Sequence, residues 1–249
     1  MKYVRFNYKG HIRYGIIENH DVRLISNEPF SSFKKLDQTI TLKSLKILPP
    51  TKPTKVIGLG YNYKDLVGQK DKYDEPVIFL KPSSSIIGHG QSIRLPSKSK
   101  VWTEVELAIV IGKKGSNILI ENAESHIFGY TIGNDVTMSN ILDRDHHLAR
   151  SKGLDTFCPL GPIIETELDT SDIKLKNIIN DKILQDSSTS NRILNDKEIV
   201  SLVSSFMTLL PGDIILTGTP ANAENSIIKS GDTVKVSIEG LGELVNKAL

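Results

Sequence analysis

Apolar residues in this chain come in short runs that glycine, proline, asparagine and aspartate interrupt. The clearest runs lie at 55–59, 77–80, 105–111, 130–132, 214–217 and 234–238. Most runs are shorter than a typical helix, and no regular alternation of strand-like and helix-like segments links them, which disfavours a doubly wound parallel sheet. The spacing instead predicts a mostly β (α+β) fold built from many short strands.

The N-terminal residues predict a small β-rich unit. Apolar residues alternate with polar ones on both sides of Lys9-Gly10, which is typical of a β-hairpin, and Val22 and Leu24 indicate a third strand. Residues 49–53 read Pro-Pro-Thr-Lys-Pro and form an extended connector that no helix can cross. We therefore predict a β-rich subdomain at 1–50 and a larger domain at 55–249.

One helix is clearly indicated near the C-terminal end. Asn195 can cap it, Glu198 follows three residues later as in a capping box, and Pro211-Gly212 ends the pattern. We predict a helix from about Asp196 to Leu210. It should pack its apolar face against the rest of the fold through Ile199, Leu202, Val203 and Phe206.

Composition excludes several classes of protein. The chain has 31 basic and 29 acidic residues, so no large positive field favours nucleic acid as a partner. The longest purely apolar stretches are far shorter than the roughly 18 residues of a membrane-spanning helix, and polar residues interrupt the N-terminal segment where a signal peptide would lie. The single cysteine, Cys158, cannot form an internal disulfide and is expected to be buried. We expect a cytoplasmic protein that binds neither nucleic acid nor membranes.

Three carboxylates carry the strongest chemical signal. Glu104 and Glu106 share one face at the start of the strand 105–111, whose two faces are both apolar further along. Two like charges in a partly dry site are costly unless a cation neutralises them. Asp135 follows another predicted strand, and three carboxylates without a Cys or His cluster favour Mg²⁺ or Mn²⁺ over Zn²⁺. From spacing alone, a solvated strand face remains the alternative.

The order of several motifs resembles the fumarylacetoacetate hydrolase (FAH) superfamily from about Lys55 to the C-terminus. The motifs are Gly-Leu-Gly-Tyr-Asn-Tyr at 58–63, Pro-Val-Ile-Phe-Leu-Lys-Pro at 76–82, Glu-Val-Glu-Leu at 104–107, Gly-Tyr-Thr-Ile-Gly-Asn-Asp-Val-Thr at 129–137, Asp-Thr-Phe-Cys-Pro-Leu-Gly-Pro at 155–162 and Pro-Gly-Asp-Ile-Ile-Leu-Thr-Gly-Thr-Pro at 211–220. The resemblance implies an FAH-type mixed β-roll, usually a homodimer, that acts on small 2-oxo acids through an enolate stabilised by a divalent cation.

The resemblance also assigns roles to individual residues. Glu104, Glu106 and Asp135 would hold Mg²⁺ or Mn²⁺, with Ca²⁺ as another candidate. Lys152 matches the active-site lysine and Lys81 a second pocket lysine. The expected substrate-binding residues are Thr219, Tyr63, Leu66 and Gln69, with Thr219 contacting the substrate carboxylate.

The sequence departs from this family at residues that matter for water activation. Members that hydrolyse C–C bonds carry a His and a Glu on a lid helix, and Leu66 and Gln69 stand in their places. Neither side chain can take a proton from water near neutral pH. Ser139 and Leu142 replace a pocket Arg and Gln, and Asn222 replaces a Gly whose left-handed geometry Asn tolerates.

These departures favour an isomerase or tautomerase, or a 2-oxo-acid decarboxylase, because each needs the enolate but no activated water. Two alternatives remain. A C–C bond hydrolase of the acylpyruvase or fumarylacetoacetase type would need another base, for which His146 or His147 is a candidate and His89 a weaker one. A non-catalytic member would keep the metal and the ligand without turnover.

Overall fold

The computed structural model describes residues 1–67, 75–140 and 145–249. In these residues the strands are β1 Lys2–Tyr8, β2 His11–Glu18, β3 Asp21–Ile25, β4 Lys35–Thr41, β5 Lys46–Ile47, β6 Val56–Gly60, β7 Val77–Lys81, β8 Ile86–Ile87, β9 Ser92–Ile93, β10 Val101–Trp102, β11 Val105–Ile111, β12 Ile127–Asn134, β13 Thr137–Met138, β14 Cys158–Glu165, β15 Lys174–Ile179, β16 Lys182–Ser188, β17 Ile214–Leu216, β18 Thr233–Ile238 and β19 Gly242–Ala248.

The α-helices are α1 Lys64–Val67, α2 Ile120–Ala123, α3 Ala149–Lys152 and α4 Asp196–Phe206, and short 3-10 helices lie at Leu42–Ser44, Ser83–Ser85, Glu124–His126, Thr189–Asn191 and Ala223–Asn225. The predicted mostly β fold is confirmed. Within the described ranges, no helix combines the length and the apolar character that crossing a bilayer requires.

A large mixed sheet organises the molecule. Its strand order is β4-β3-β2-β1-β14-β12-β11-β17-β6-β7, with β5 added to β1 and β8 added to β14. The predicted N-terminal hairpin and third strand are β1 to β3, and β4 extends them beyond what the sequence indicated. Because β1 pairs with β14 through Lys2–Glu165 and Tyr3–Ile164, the N-terminal strands continue the large sheet.

Strand β11 lies at the centre of the packing, and all seven of its residues are buried. Val105 and Leu107 pack in a core shared with the second sheet, whose order is β16-β15-β18-β19-β9. Ala108 and Val110 on the opposite face pack against residues of β14 and β17. The prediction of a strand buried on both faces is confirmed, and burial on both faces provides a dry environment for polar groups at its start.

Helix α4 begins as predicted and ends earlier. The Asn195 side chain accepts hydrogen bonds from the backbone N–H groups of Lys197 and Glu198, and Glu198 Oε2 accepts one from Asn195 N, which completes the capping box. The predicted end at Leu210 was wrong: Met207 is extended, and Leu209 exchanges backbone hydrogen bonds with Gly115.

This early end changes which side chains of α4 are buried. Phe206, expected in the core, is exposed, whereas Val200 is fully buried beside Ile199 and Val203. The β-bridge between Leu209 and Gly115 takes the place of a further turn of helix. The helical spacing of apolar residues therefore predicted a helix that is too long and wrongly included Phe206 in its buried face.

Candidate active site

Antiparallel pairing of β11 with β12 brings the three predicted carboxylates together. Val105 at the start of β11 lies opposite Asn134 at the end of β12, and Asp135 N donates to Glu104 O at 3.0 Å. One carboxylate oxygen from each of Glu104, Glu106 and Asp135 lies within 4.8 Å of the others. Their exposures are 8%, 1% and 0%, so the cluster is almost entirely shielded from solvent.

Two buried lysines contact the cluster from different elements. Lys152, at the end of α3, donates from Nζ to Asp135 Oδ2 at 2.5 Å, Glu104 Oε2 at 3.1 Å and Thr137 Oγ1 at 2.7 Å. Lys81, at the end of β7, donates to Asp135 Oδ1 at 2.5 Å and to Val136 O at 3.2 Å. Strands β11, β17 and β6 separate β7 from β12, so the sheet must curl strongly for Lys81 to reach Asp135.

The pKa values of the three carboxyl groups are shifted in different directions and to different extents. Burial raises the pKa of Asp135, but the Lys152 and Lys81 ammonium groups outweigh it and hold that pKa below its usual value. Burial also raises the pKa of Glu104, only partly offset by Lys152. The pKa of Glu106 is raised well above its usual value by burial and by Asp135 and Glu104. The Glu106 carboxylate accepts Gly218 N–H at 2.6 Å, and no described lysine or arginine forms a salt bridge with it.

This donor set fits a hard divalent cation. Carboxylate oxygens are the ligands that Mg²⁺ and Mn²⁺ prefer, and three of them converge in a buried place where their mutual repulsion is otherwise only partly compensated. Glu106, whose charge the lysines neutralise least, is the side chain that would gain most from a cation.

A cavity of about 330 Å³ opens beside the cluster. Its polar lining includes Glu104, Thr137, Lys152, Thr219 and Glu224. The apolar part of its wall is formed by Leu59, Leu66, Val77, Phe79, Trp102 and Met138. The cavity can therefore hold a small molecule with one charged end and an apolar or neutral remainder.

A family model described as fumarylacetoacetate (FAA) hydrolase C-terminal matches residues 55–248, which is most of the chain. The chain belongs to the fumarylacetoacetate hydrolase family. Residues 1–50 match a second model, described as Rv2993c-like, N-terminal.

Relatives in this family include an isomerase, a tautomerase and a hydrolase. The structure of 5-carboxymethyl-2-hydroxymuconate delta-isomerase from Mycobacterium smegmatis is 38% identical, with a TM-score of 0.93 over 100% of this chain and 99% of that one. The oxaloacetate tautomerase FAHD2A, mitochondrial, of Bos taurus is 38% identical over 82% of this chain and 69% of the relative. Maleylpyruvate hydrolase from Sphingobium sp. SYK-6, solved with manganese(II) and pyruvate, is 26% identical, with a TM-score of 0.82 over 100% and 99% of the two chains. The FAH-type fold implied by the motifs is confirmed.

The family's substrate-binding positions divide into two groups in this structure. Thr219 and Leu66 line the cavity, and their contact with a substrate stays a prediction. Tyr63 is fully buried in the core shared with the second sheet, and Tyr61 lines the cavity instead. Lys81 does not line it and contacts Asp135 from within the core. Gln69 lies outside the described residues.

Of the three other departures from the family pattern, two lie in the described residues. Asn222 adopts φ +70°, so the left-handed turn expected of a glycine is kept. Ser139 is half-buried and does not line the cavity, and Leu142 lies outside the described residues. Cys158 is buried as predicted, and burial raises the pKa of its thiol to about 12.

The histidines considered as substitute bases do not line the cavity. His146 and His147 are exposed in the turn before α3. His89 is half-buried, and its Nδ1 accepts the Val245 N–H at 3.3 Å. The hydrolase alternative therefore gains no base from these three residues in this arrangement.

Sequence reasoning missed four residues at or beside the cavity. Trp102 Nε1 donates to Glu104 Oε1 at 2.7 Å, and the Phe79 ring lies 4.8 Å from Lys152 Nζ. Glu224 lines the cavity from the turn that Asn222 begins, and Gln185 hydrogen-bonds Thr219 from β16. Phe79 lies within the motif at 76–82, and Trp102 lies two residues before the motif at 104–107. Gln185 and Glu224 have no local sequence pattern that separates them from other polar residues.

Proposed function

We propose that this protein is a divalent-metal-dependent tautomerase or isomerase of a small 2-oxo acid. The observation that carries the proposal is the buried carboxylate cluster, which reaches the cavity through Glu104 beside Lys152. Leu66, which the family resemblance aligns with the hydrolytic lid histidine, lines the same cavity. The isomerase and tautomerase among the relatives support it.

Glu104, Glu106 and Asp135 are the residues that would hold Mg²⁺ or Mn²⁺. When bound there, the cation supplies positive charge that lowers the energy of the enolate of a 2-oxo acid. The hydrolase relative solved with manganese(II) and pyruvate supports this pairing of a hard cation with a 2-oxo acid.

As an ammonium group, Lys152 is suited to stabilise a developing oxyanion and to donate a proton to it. Its pKa is raised because the nearby Asp135 and Glu104 charges outweigh the lowering effect of burial. Without a bound cation the side chain is therefore an ammonium group, held by three acceptors and the Phe79 ring. It can stabilise the oxyanion of the enolate and donate a proton to it.

With Lys152 as the proton donor, a second group has to accept the C3 proton, and we assign this role to Glu224. Among the described residues that line the cavity, Glu224 is the carboxylate outside the metal cluster. Its turn is fixed beside that cluster, because Thr103 N donates to Ser226 O at 3.1 Å and Ile228 N donates to Val101 O at 3.0 Å. In the keto-to-enol direction, Glu224 takes a C3 proton, the C–H electron pair becomes the C2–C3 π bond, and the C2=O π pair moves onto the oxygen. Lys152 then donates a proton to that oxygen, which completes the enol.

Replacing Glu224 with Gln should lower kcat for tautomerisation by about 10²–10⁴-fold, the usual cost of losing a general base. The amide keeps the shape of the side chain and cannot accept the proton. Glu121, exposed on α2 and outside the cavity lining, provides the matched control, and E121Q should keep wild-type kcat. An E224Q variant with unchanged kcat would show that another group takes the proton.

Hydrolysis should be slow because, with Glu224 assigned to the C3 proton, the apolar Leu66 wall offers no second base to activate a water. Decarboxylation shares the enolate and needs no activated water, so it is the runner-up reaction. The test compares oxaloacetate tautomerisation, oxaloacetate decarboxylation and acetylpyruvate cleavage, each with Mg²⁺ and with EDTA.

The proposal predicts that tautomerisation is fastest and is lost in EDTA. Acetylpyruvate cleavage that exceeds tautomerisation would contradict it and favour the hydrolase alternative. Bound metal without turnover of any substrate would favour a non-catalytic member.

The homodimer, the cytoplasmic location and the domain boundaries at 1–50 and 55–249 stay predictions. The chain mass is 27.6 kDa. Light scattering that gives this mass at micromolar concentration would contradict the dimer.

A further inference from the structure

Gln185 connects the strand that carries the carboxylates to the loop that carries Thr219. It lies on β16 opposite Asn177 of β15 and is 1% exposed. Its Oε1 accepts from Val105 N, between the two glutamates, at 3.2 Å and from Asn177 Nδ2 at 3.2 Å. Its Nε2 donates to Thr219 Oγ1 at 3.0 Å and to Pro220 O at 2.9 Å.

These partners permit only one orientation of the Gln185 amide. A backbone N–H, which can only donate, faces Oε1, and a backbone carbonyl, which can only accept, faces Nε2. Exchanging the two amide atoms would set the NH₂ group against Val105 N–H and the oxygen against Pro220 O. Nε2, which also donates to Ala221 O at 3.3 Å, therefore faces Thr219 Oγ1, and that oxygen can only accept from it.

This arrangement decides what the Thr219 hydroxyl can do. A threonine hydroxyl has one hydrogen to donate, and accepting from Gln185 leaves that hydrogen uncommitted. In the described part of the chain, no acceptor is recorded for it, and Thr219 lines the cavity with Lys152 and Glu104. The hydroxyl is thus available as a donor to a negatively charged group in the cavity.

We propose that Gln185 is a positioning residue that holds Thr219 as a hydrogen-bond donor to the substrate carboxylate. It acts through Thr219 and does not line the cavity itself. The proposal rests on the proposed function in one respect, which is that the ligand of the site carries a carboxylate.

The first test is Gln185→Glu, measured as the affinity for oxalate in the presence of Mg²⁺ by isothermal titration calorimetry. A carboxylate at this position cannot donate, so the Thr219 O–H turns towards it and is lost to the ligand. We expect oxalate affinity to fall by about tenfold or more, the usual effect of losing a hydrogen bond to a charged group. In the tautomerase assay KM should rise more than kcat falls.

A double-mutant cycle with Thr219→Val separates positioning from general damage. T219V alone should weaken oxalate binding, and Gln185→Met, which adds no negative charge near the anion, should weaken it no further in the T219V background. Equal and additive losses would overturn the proposal, because Gln185 would then act independently of Thr219. If the buried carboxylate of Q185E prevents folding, Gln185→Met also carries the first test, with a loss of oxalate affinity expected in the wild-type background only.

Asn246 provides the matched control for a buried amide. It is 1% exposed, and its Nδ2 donates to Gly88 O and Gln91 O, away from the cavity lining. Asn246→Asp should lower Tm without changing oxalate affinity, and equal weakening by N246D and Q185E would contradict a specific role. Mn²⁺ affinity, measured by electron paramagnetic resonance, should be the same in Gln185→Met and wild type, because this substitution adds no charge beside the cluster.

The two proposals fail separately. If wild-type protein binds oxalate with Mg²⁺ but turns over no 2-oxo acid, the proposed reaction is wrong, and the calorimetric cycle still decides the role of Gln185. If turnover is found and Q185E binds oxalate as tightly as wild type, the role of Gln185 is wrong and the proposed reaction is unaffected.

Discussion

Replacing Lys152 with methionine is expected to lower kcat for the proposed tautomerisation by at least about 10³-fold. Methionine keeps the length and the apolar stem but removes the ammonium group that contacts Asp135, Glu104 and Thr137 at the cavity. The enolate would lose both its nearby positive side chain and its proton donor, and each such loss typically costs orders of magnitude in rate. Steady-state kinetics with saturating Mg²⁺ measures the effect.

Lys81 provides the control, because it contacts the same aspartate without lining the cavity. Either substitution leaves a buried carboxylate without one of its cations, which typically costs about 3–5 kcal/mol in the free energy of unfolding. We expect K81M to lose comparable stability but to retain a larger share of kcat at temperatures where it is folded. If K152M keeps wild-type kcat, the role of Lys152 is structural.

Glu106→Gln and Asp135→Asn should have opposite effects on stability when no metal is present. Glu106 forms no described salt bridge with a lysine or arginine, and a glutamine oxygen can still accept the Gly218 N–H. E106Q should therefore unfold at a Tm equal to or above that of wild type in EDTA. D135N removes the carboxylate that Lys81 and Lys152 share as an ion-pair partner. Its free energy of unfolding should therefore fall by about 3–5 kcal/mol.

Adding Mg²⁺ should reverse the order of the two Tm values, so that wild type unfolds at a higher temperature than E106Q. At a hundredfold excess over Kd, a ligand stabilises the folded state by about 2.7 kcal/mol, or about 5–10 °C in Tm for a chain of this size. Wild type should show this shift and E106Q should not. Equal Mg²⁺ shifts in the two proteins would show that Glu106 is not a ligand.

Because the pKa of Glu106 is raised, the difference in stability between E106Q and wild type in EDTA should depend on pH. A carboxyl whose folded-state pKa lies above its unfolded value favours folding when protonated, and this contribution is lost as pH rises through the folded pKa. The advantage of E106Q over wild type in EDTA should therefore grow as pH rises above the ordinary glutamate pKa and shrink towards pH 4. Thermal unfolding across this range measures it.

The sequence predicted the parts of the site that depend on local pattern. An uninterrupted apolar run located β11, and the two-residue period of a strand put Glu104 and Glu106 on one face. Asp135 was predicted as a strand-end residue, and the β11–β12 register explains why it meets the glutamates. The motif order supplied Lys152 and Thr219, which no periodicity would have identified.

The sequence could not predict contacts that depend on how distant strands curve and pair. Lys81 reaches Asp135 only because the sheet curls, and Gln185 reaches Thr219 only because β16 packs beside the loop after β17. Glu224 lies at the cavity because its turn pairs with residues around β10. Phe206 fits the helical pattern, but a β-bridge at Leu209 ends the helix before that position is buried.

The most direct test of a metal-dependent 2-oxo-acid site is calorimetric titration of oxalate, an enolate mimic, into wild-type protein with Mg²⁺ and with EDTA, and into E106Q with Mg²⁺. We predict one oxalate bound per chain in wild type with Mg²⁺, and no measurable binding in EDTA or to E106Q. Oxalate binding of equal affinity under all three conditions would contradict the account, because the cavity would then hold the anion without any cation at Glu104, Glu106 and Asp135.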